Sequence, residues 1–456
     1  MGSRRWSRCE RYRWRPLLPA TLALVALSGA PQSPRAALIW EERGLPAGGR
    51  LLLAGGISPG LACLSLALPA GTADRPEDPL LPLLAPRAFL GAQASWEPGA
   101  SLETALARLG WRVESHCGLE SAEISLLGPA GGLDTVLGFL VERLRSPGTL
   151  TPADLQSAWS ALEADWARAA ASPELALREA MAAALYAKHP YARGEGRVAI
   201  AGASPPPLAS LAGYLAERYQ AGCLVMLLAG DIDPAALLGV WQARLDALPG
   251  HPLAAPRRPD APGQAGELKR AAAEPTLLLY HFPGPAGDGA VAPAAALLAG
   301  LLNLFVQTEL RDAGLVASGS AWYDFTCPGP RPLELQLRGF SPDRLPAVRA
   351  RVERILERLR GGDFSEYQVI TAKDQLFMRI DAAAGQGSPP ADGGVRALSL
   401  WCREILRETL YFARWRSRFV DQTLGASRES LGRDAARLLL PERATLGLLL
   451  PADSLD

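Results

Sequence analysis

The sequence lacks the histidine spacing of a helical zinc site and the glycine-rich loop of a P-loop enzyme. Only four histidines occur in 456 residues, at positions 116, 189, 251 and 281, and no two of them lie three to five residues apart. A zinc hydrolase built on a helix needs two histidines one turn apart, so that both imidazoles reach one metal ion, with a carboxylate base beside them. A P-loop for phosphate binding is also missing. The sequence therefore shows no residues that could carry out catalysis.

Net charge is also missing, because 47 basic residues balance 47 acidic ones. The basic residues are scattered and form no stripe or patch, which argues against a nucleic-acid partner. Lysine occurs only at positions 188, 269 and 373, while Arg, Ala, Gly and Pro are abundant. We interpret this composition as a GC-rich coding bias without functional content.

Cysteine is too sparse for a disulfide framework. Of six cysteines, one lies in the N-terminal leader, and the other five are widely spaced at positions 63, 117, 223, 327 and 402. This spacing fits neither a disulfide-rich scaffold nor a CxxC metal site, and it favours single buried thiols. Cys117 and Cys327 occupy comparable places in the two halves of the chain and are the pair most worth checking.

The N-terminus has the pattern of a secretory signal. Six arginines within residues 4–15 precede an apolar run over residues 17–27, which leads into the small residues 28–30. This run is too short to span a bilayer comfortably and is typical of a signal peptide. We therefore predict a signal peptide and leader over residues 1–37, an exported and periplasmic protein, and no transmembrane segment beyond the signal.

One pattern occurs twice. Residues 141–145 (VERLR) lead into residues 150–156 (LTPADLQ), and far downstream residues 356–360 (LERLR) lead into residues 364–368 (FSEYQ). Such a distance is too long for a solenoid repeat, whose units span about 20–50 residues. The repetition predicts two copies of one domain, with the charged positions on solvated helix faces and the leucines buried.

The order of apolar runs predicts strands and helices in both halves. Residues 50–54 and 61–68 read as two strands of an opening hairpin, and residues 122–127, 223–229, 277–282, 333–338 and 446–450 read as further strands. Helical spacing predicts the segments between them. Five prolines in residues 249–272 indicate a linker. We predict an α+β protein with homologous domains at residues 38–250 and 273–456, joined by a linker at 251–272.

Several segments together resemble the pitrilysin/insulinase-type (inverzincin) peptidases. The segment His189-Pro190-Tyr191-Ala192-Arg193-Gly194 is followed by Arg218-Tyr219-Gln220 and by an apolar strand that ends in Gly230-Asp231. Residues 309–315 (ELRDAGL) of the second half are similar to the family as well. The resemblance covers residues 45–456 and implies two domains, each a mainly antiparallel sheet packed with helices.

Active members of this family carry the zinc motif HxxEH on a helix of the first half. The family pattern places that helix at residues 80–91, where the motif positions are Pro82, Ala85 and Pro86. Both histidines and the catalytic glutamate are therefore lost. The third ligand position falls near Ala158, and Gln156 or Glu163 could not hold a metal without the others. Because two prolines remove helix donors, we expect this helix to be broken or shortened.

The resemblance also implies substrate contacts in the second half. Arg311 matches the family's substrate-binding arginine, whereas Ala317 stands where the family has a tyrosine. Tyr323 could substitute for that tyrosine through a shifted loop, or it could be a strand aromatic. A glycine-rich loop found in some noncatalytic members would fall at residues 298–303, where only Gly300 remains.

Such a chain would be a noncatalytic subunit. In the family, four domains of this kind enclose a chamber, so the resemblance implies a heterodimer partner that bears HxxEH and the zinc ion, with peptides as substrates and no cofactor in this chain. One alternative is a peptide-binding or scaffold protein of the cell envelope that works without a protease. An active peptidase with another metal geometry is the third possibility.

Overall fold

The computed structural model describes residues 41–187, 189–193, 202–251, 266–272, 276–383 and 394–454. The predicted signal peptide and leader at residues 1–37 lie outside the described residues, as does the Gly/Pro-rich segment at 384–393.

The first half of the chain builds a six-stranded sheet in the order β1-β2-β6-β3-β5-β4. Its strands are β1 (Glu41–Gly44), β2 (Arg50–Ala54), β3 (Leu61–Leu68), β4 (Arg112–Cys117), β5 (Ala122–Pro129) and β6 (Val225–Gly230). All neighbours pair antiparallel except β2 and β6, which are parallel. This mainly antiparallel sheet confirms the predicted α+β class.

The helices of the first half are α1 (Leu80–Leu90), α2 (Leu102–Arg108), α3 (Leu133–Arg145), α4 (Pro152–Ala170), α5 (Pro173–Tyr186), α6 (Leu208–Arg218) and α7 (Pro234–Asp246). Side chains alternate across a strand, and the sheet divides them between two cores. Leu64 and Leu66 of β3 pack with α1 and α3 in one core, while Cys63 and Ala67 face a second core shared with the other half.

The second half repeats this arrangement in a five-stranded sheet, in the order β7-β11-β8-β10-β9. Its strands are β7 (Gly266–Ala271), β8 (Leu277–Phe282), β9 (Ser318–Trp322), β10 (Leu333–Arg338) and β11 (Thr445–Leu450). Again one pair is parallel, β7 with β11, and the others are antiparallel. Position by position, β7, β8, β9, β10 and β11 correspond to β2, β3, β4, β5 and β6.

Two local predictions are wrong for a shared reason. Strands β2 and β3 do not form a hairpin, because β6 lies between them and pairs with both. In the same way β7, inside the predicted linker at 251–272, pairs with β11. In each case the partner strand comes from far along the chain, and local turn signals contain no information about it.

The helices of the second half are α8 (Ala292–Phe305), α9 (Leu345–Arg360), α10 (Glu366–Ala383), α11 (Gly394–Leu410), α12 (Arg416–Gly425) and α13 (Arg428–Leu438). A π-helical segment, Val306–Arg311, extends α8. The combined stretch Ala292–Arg311 is long and apolar enough to cross a membrane, but 67% of its most apolar window is buried inside the fold. This burial is typical of a core helix.

The repeated sequence pattern joins the end of one helix to the cap of the next. Leu144 and Leu359 are fully buried, as predicted. Thr151 and Asp154 form a capping box at the start of α4, and Ser365 with Gln368 makes the corresponding reciprocal bonds at α10.

The repeated arginines are not simply solvated, which corrects the prediction for those positions. The guanidinium of Arg143 lies 5.9 Å from the ring centroid of Phe89 at the end of α1, and that of Arg358 lies 4.7 Å from the ring of Phe305 at the end of α8. Both arginines are half-buried, and their stems cover the apolar surface of the helix end.

One helix from each half packs on the sheet of the other half. The first-half helix α5 packs on β7 and β11, and the second-half helix α11 packs on β3, β5 and β6. At the first crossing Gly447 leaves room for Met181 of α5, since a Cβ on Gly447 would lie 2.2 Å from the Met181 Sδ. The two halves are therefore interlocked rather than merely adjacent.

Candidate functional site

The helix expected to carry the zinc motif is intact. Contrary to the prediction that two prolines would break or shorten it, α1 runs without interruption from Leu80 to Leu90. Pro82 lies in the first turn, where the missing N–H would have no intrahelical partner. Pro86 lies inside the helix, but nine of the eleven residues of α1 are buried, and this packing keeps the helix formed.

The positions where the resemblance places the metal motif are part of a hydrophobic core. Pro82, Ala85 and Pro86 are buried, and Ala158 of the neighbouring helix α4 is 2% exposed. Gln156 and Glu163 of α4 are exposed. Within the described ranges no group of three His, Cys, Asp or Glu side chains could hold a metal ion. Methyl and ring carbons offer no lone pairs, so these residues do not fit a zinc ion.

The end of α1 is fixed by a buried polar contact that the zinc motif does not involve. Arg143 of α3 donates to the carbonyl oxygen of Phe89 and, at 3.2 Å, to that of Ala88. The carboxylate of Asp154 accepts from the Ala92 amide at 2.6 Å. Burial lowers the pKa of the Arg143 guanidinium, and the charge of Asp154 partly offsets this effect. The helix end is therefore held by the repeated arginine.

Arg311 and Tyr323 lie in very different environments. Arg311 ends the π-helical segment, is exposed, and donates to the side-chain oxygen of Gln307 at 2.9 Å. Tyr323 follows β9, is fully buried, and its hydroxyl donates to the carbonyl of Pro285 at 2.8 Å. Burial raises the pKa of Tyr323 well above its ordinary value. This geometry is that of a core aromatic, whereas Arg311 is accessible to a ligand.

The segment where some noncatalytic members of the family have a glycine-rich loop is helical in this chain. Residues 298–303 lie inside helix α8. Gly300 there faces α10, because a Cβ at this position would lie 3.1 Å from the Cβ of Ala372. The glycine therefore permits close helix packing rather than substrate capture.

The sequence also contains one GxSxG pentapeptide, Gly56-Ile57-Ser58-Pro59-Gly60, the pattern of a serine nucleophile elbow. Ser58 has a positive φ of 50°, as such an elbow requires. However, the segment leads from strand β2 to strand β3, whereas an elbow leads from a strand into a helix. We assign Ser58 to a strained turn.

A cavity of about 250 Å³ lies between the halves. Its walls include His116 of β4, Trp322 of β9 and Arg407 of α11. Within it Cys327 donates to a carboxylate oxygen of Asp324 at 3.1 Å, and Arg331 lies 5.2 Å from the ring of Tyr191. Burial, together with Asp324, raises the pKa of Cys327 to about 12. The thiol is therefore protonated at neutral pH and is not an activated nucleophile.

Sequence reasoning missed the two buried carboxylates that anchor the exchanged helices. Glu123 of β5 is 3% exposed and accepts from Arg407 of α11 at 2.7 Å. Glu334 of β10 is 5% exposed and accepts from Arg178 of α5 at 2.7 Å. Each is the second residue of its strand, so a glutamate in an otherwise apolar strand was the available signal.

Comparison with known proteins agrees with the predicted resemblance. Residues 207–376 match the family model described as the peptidase M16 inactive domain. No curated protein sequence matches the chain significantly.

Solved structures share the fold over nearly the whole chain. A peptidase M16 inactive domain from Pseudomonas fluorescens is 17% identical with a TM-score of 0.68, and 91% of this chain and 98% of that chain are covered. The first half of the periplasmic protease PqqL from Escherichia coli is 15% identical with a TM-score of 0.69, covering 91% and 92%. The complete PqqL is 16% identical with a TM-score of 0.68, covering 93% of this chain and 48% of that chain.

The predicted resemblance and fold class are thereby confirmed. The chain has the fold of M16-type peptidases, and the matching family model describes an inactive domain, in agreement with the prediction that the chain is not catalytic alone.

Proposed function

We propose that this protein, a noncatalytic homologue of the M16 peptidases, is the noncatalytic subunit of an exported heterodimeric zinc metallopeptidase. It completes a peptide-binding chamber around a partner chain that bears the HxxEH motif and the zinc ion. The observation that carries this proposal is that helix α1 is intact from Leu80 to Leu90, although Pro82, Ala85 and Pro86 occupy the positions where the resemblance places HxxEH. An intact helix without the HxxEH side chains is expected of a subunit that has a structural role and no catalytic one.

The size of the fold supports pairing with a second chain of the same kind. This chain corresponds to 48% of the complete PqqL, and the first half of PqqL alone matches it equally well. A two-domain unit can therefore be one half of a longer peptidase chain. By analogy, this chain is one half of an enclosure whose other half is a separate polypeptide. The description of PqqL as periplasmic, together with the N-terminal leader pattern, supports export.

Two surface features would serve peptide binding. Within the described ranges, the edge strand β4 pairs only with β5, and the edge strand β9 pairs only with β10. An extended peptide can add to such an edge through main-chain hydrogen bonds. Strand β4 also packs beside α1, so a peptide there would run along this helix. Arg311 is exposed and available for a peptide carboxylate or carbonyl.

Co-expression with an HxxEH-bearing homologue from the same genome tests the pairing. We expect the two chains to co-purify and the mixture to cleave an unfolded test peptide at least tenfold faster than the zinc-bearing chain alone. A partner whose catalytic glutamate is replaced by glutamine should co-purify without activity. If the mixture is no more active than the zinc-bearing chain alone, the proposal is wrong.

Arg311 is tested in the same assay. We expect Arg311→Ala to raise KM several-fold with little change in kcat, because it removes a binding contact outside the zinc centre. Arg354→Ala is the matched control, since Arg354 is an exposed arginine on α9. Equal KM values for the two variants would remove Arg311 from the substrate site.

The unpaired edges of β4 and β9 also favour a second candidate, a peptide-binding or scaffold protein of the cell envelope that needs no protease. This function predicts that the chain alone binds an extended peptide in a fluorescence anisotropy titration, and that no HxxEH-bearing chain co-purifies with it. Co-purification of a zinc-bearing chain with gain of peptidase activity would decide for the first candidate.

A further inference from the structure

Two cysteines meet where helix α11 crosses the first sheet. Cys63 lies on β3 and Cys402 on α11, and both thiols are free and fully buried. The two residues belong to the same hydrophobic core, although they come from opposite halves of the chain. Helix α11 packs directly on β3, and the Cys63 thiol acts on the Cys402 thiol, whose pKa it helps to raise.

The packing of both elements directs the two side chains toward one another. On β3, Cys63 and Ala67 face the core that is shared with the second half, while their neighbours Leu64 and Leu66 face the other core. On α11, Leu398, Cys402 and Ile405 are buried at 1%, 0% and 0% exposure. Positions separated by four and three residues lie on one face of a helix, so Cys402 lies in the middle of the buried face.

Polar contacts fix the position of α11 on the sheet. Ser399 donates to the carboxylate of Glu114 at 2.8 Å, and Arg407 donates to that of Glu123 at 2.7 Å. These bonds lie on either side of Cys402 along the helix. The approach of Cys402 to Cys63 therefore follows from an anchored register.

Small residues allow the close approach that an S–S bond requires. Within β3 the residues on the same face as Cys63 are Leu61, Ser65 and Ala67; two of the three are small, and the Cys63 sulfur lies 3.1 Å from the Ser65 hydroxyl. Disulfides need Cα atoms about 4.4–6.8 Å apart, and small neighbours let a helix come this near to a strand.

We propose that Cys63 and Cys402 form a disulfide when the chain folds in an oxidising compartment, and that this bond ties α11 covalently to the first sheet. The two protein thiols are oxidised and lose two protons and two electrons, while an external disulfide is reduced to two thiols. One cysteine thiolate first attacks the external disulfide and displaces one thiolate. The second cysteine thiolate then attacks the protein sulfur of this mixed disulfide, forms the new S–S bond and releases the second thiolate.

The order of events follows from burial. Burial raises the pKa of Cys402 well above its ordinary value, and the neighbouring Cys63 raises it further. Because only the thiolate attacks a disulfide, exchange must begin before α11 is fully packed. The bond then closes as the helix docks. This inference does not depend on a partner subunit, so it stands or falls separately from the proposed function.

A cleavage experiment tests the bond. A site-specific protease sequence is inserted between residues 252 and 265, and the full chain is refolded with a mixture of oxidised and reduced glutathione. Remaining thiols are alkylated before cleavage. Since Cys63 and Cys402 lie on opposite sides of the cut, we expect both fragments to migrate together on a denaturing gel without reductant and to separate with it.

Matched cysteine variants identify the pair. Cys63→Ser and Cys402→Ser should release the fragments without reductant, while Cys223→Ser and Cys327→Ser should leave them joined. Mass spectrometry of the unmodified wild-type chain, refolded in the same way, should detect the Cys63 and Cys402 peptides linked with the loss of two hydrogen atoms. Separation of wild-type fragments without reductant, or linkage through another pair, would overturn the proposal.

Discussion

In the first half, helix α1 ends at Leu90, whereas the corresponding helix α8 of the second half continues as a π-helical segment through Arg311. The repeated arginine covers a phenylalanine in both halves, but its polar partners differ. Arg143 donates to backbone carbonyls at the end of α1. Arg358 instead pairs with the side chain of Glu309 in the added turn. The second half thus has an extra helical turn that carries the exposed Arg311. In the first half, the positions that the resemblance assigns to the metal motif are buried in the core.

The two helix crossings are more alike than the two helix ends. At each crossing, a glutamate at the second position of a central strand accepts from an arginine of the helix lent by the other half. Glu334 also contacts His281 at 2.9 Å, and Glu123 also faces Arg403 at 3.4 Å. Both crossings pair a buried glutamate with an arginine, because a buried carboxylate needs a paired cation.

Removing either carboxylate is the strongest way to test this likeness. We expect Glu123→Ala and Glu334→Ala each to lower the free energy of unfolding by about 4 kcal/mol, because each removes a buried carboxylate that binds two basic side chains. Glu142→Ala and Glu357→Ala, at exposed positions of the repeat, should change it by less than about 0.5 kcal/mol. Denaturant unfolding measures all four. A large effect at only one crossing would break the equivalence.

The variant Ala85→Glu tests whether α1 can accommodate a carboxylate at this position, as the helix of an active zinc peptidase does. The side chain of Ala85 is 0% exposed, so a lone carboxylate there would be desolvated and unpaired, and we expect a loss of about 3 to 4 kcal/mol in unfolding free energy. Ala164→Glu on the exposed face of α4 is the control and should be nearly neutral. If Ala85→Glu leaves the free energy of unfolding unchanged, position 85 does not lie in a closed hydrophobic core.

The crossing at Glu334 should respond to acid. Burial disfavours ionisation of this carboxyl, but the hydrogen bonds and charges of His281 and Arg178 outweigh burial and lower its pKa to about 2. Because the pKa is lower in the folded than in the unfolded state, where it is about 4.3, the stabilisation is complete only above about pH 5 and is lost as the pH falls toward 2. The loss should reach about 3 kcal/mol.

Glu334→Gln provides the comparison for this pH dependence. The variant should be less stable at neutral pH and should lose the acid-dependent part of its unfolding free energy, whereas Glu357→Gln should keep the wild-type slope. An unchanged slope in Glu334→Gln would assign the acid sensitivity to other groups.

The smallest expected changes in unfolding free energy distinguish the end of α1 from the end of α8. Arg143→Ala should lower the unfolding free energy by about 2 kcal/mol, because it removes both the ring contact and the bonds to the carbonyls of α1. Arg358→Ala should lose about 1 kcal/mol, since its ion pairs are more exposed. Arg145→Ala, at an exposed position of the first copy, is the control. Equal losses for Arg143 and Arg358 would show that the ring contact dominates at both ends.

Local patterns in the sequence predicted many helices and strands but not their partners. The strand at residues 61–68 was predicted with its observed bounds, because its apolar run and flanking turns are local. That β6 pairs on both sides, with β2 and β3, was not predictable from these turns. Helix α1 was expected to be broken because propensity favours this at Pro86, yet burial of nine residues decided otherwise. Glu123 and Glu334 were visible as charges in apolar strands, but their arginine partners were not.

By itself the sequence determined that the chain consists of two related halves and that it contains no HxxEH motif. Both facts depend only on which residues occupy which positions. The tertiary structure alone decided that α5 and α11 are exchanged between the sheets and that Cys63 meets Cys402 across the crossing. The physical reason is that periodicity specifies which face of an element is apolar, whereas the element that covers this face is chosen by packing across the whole molecule.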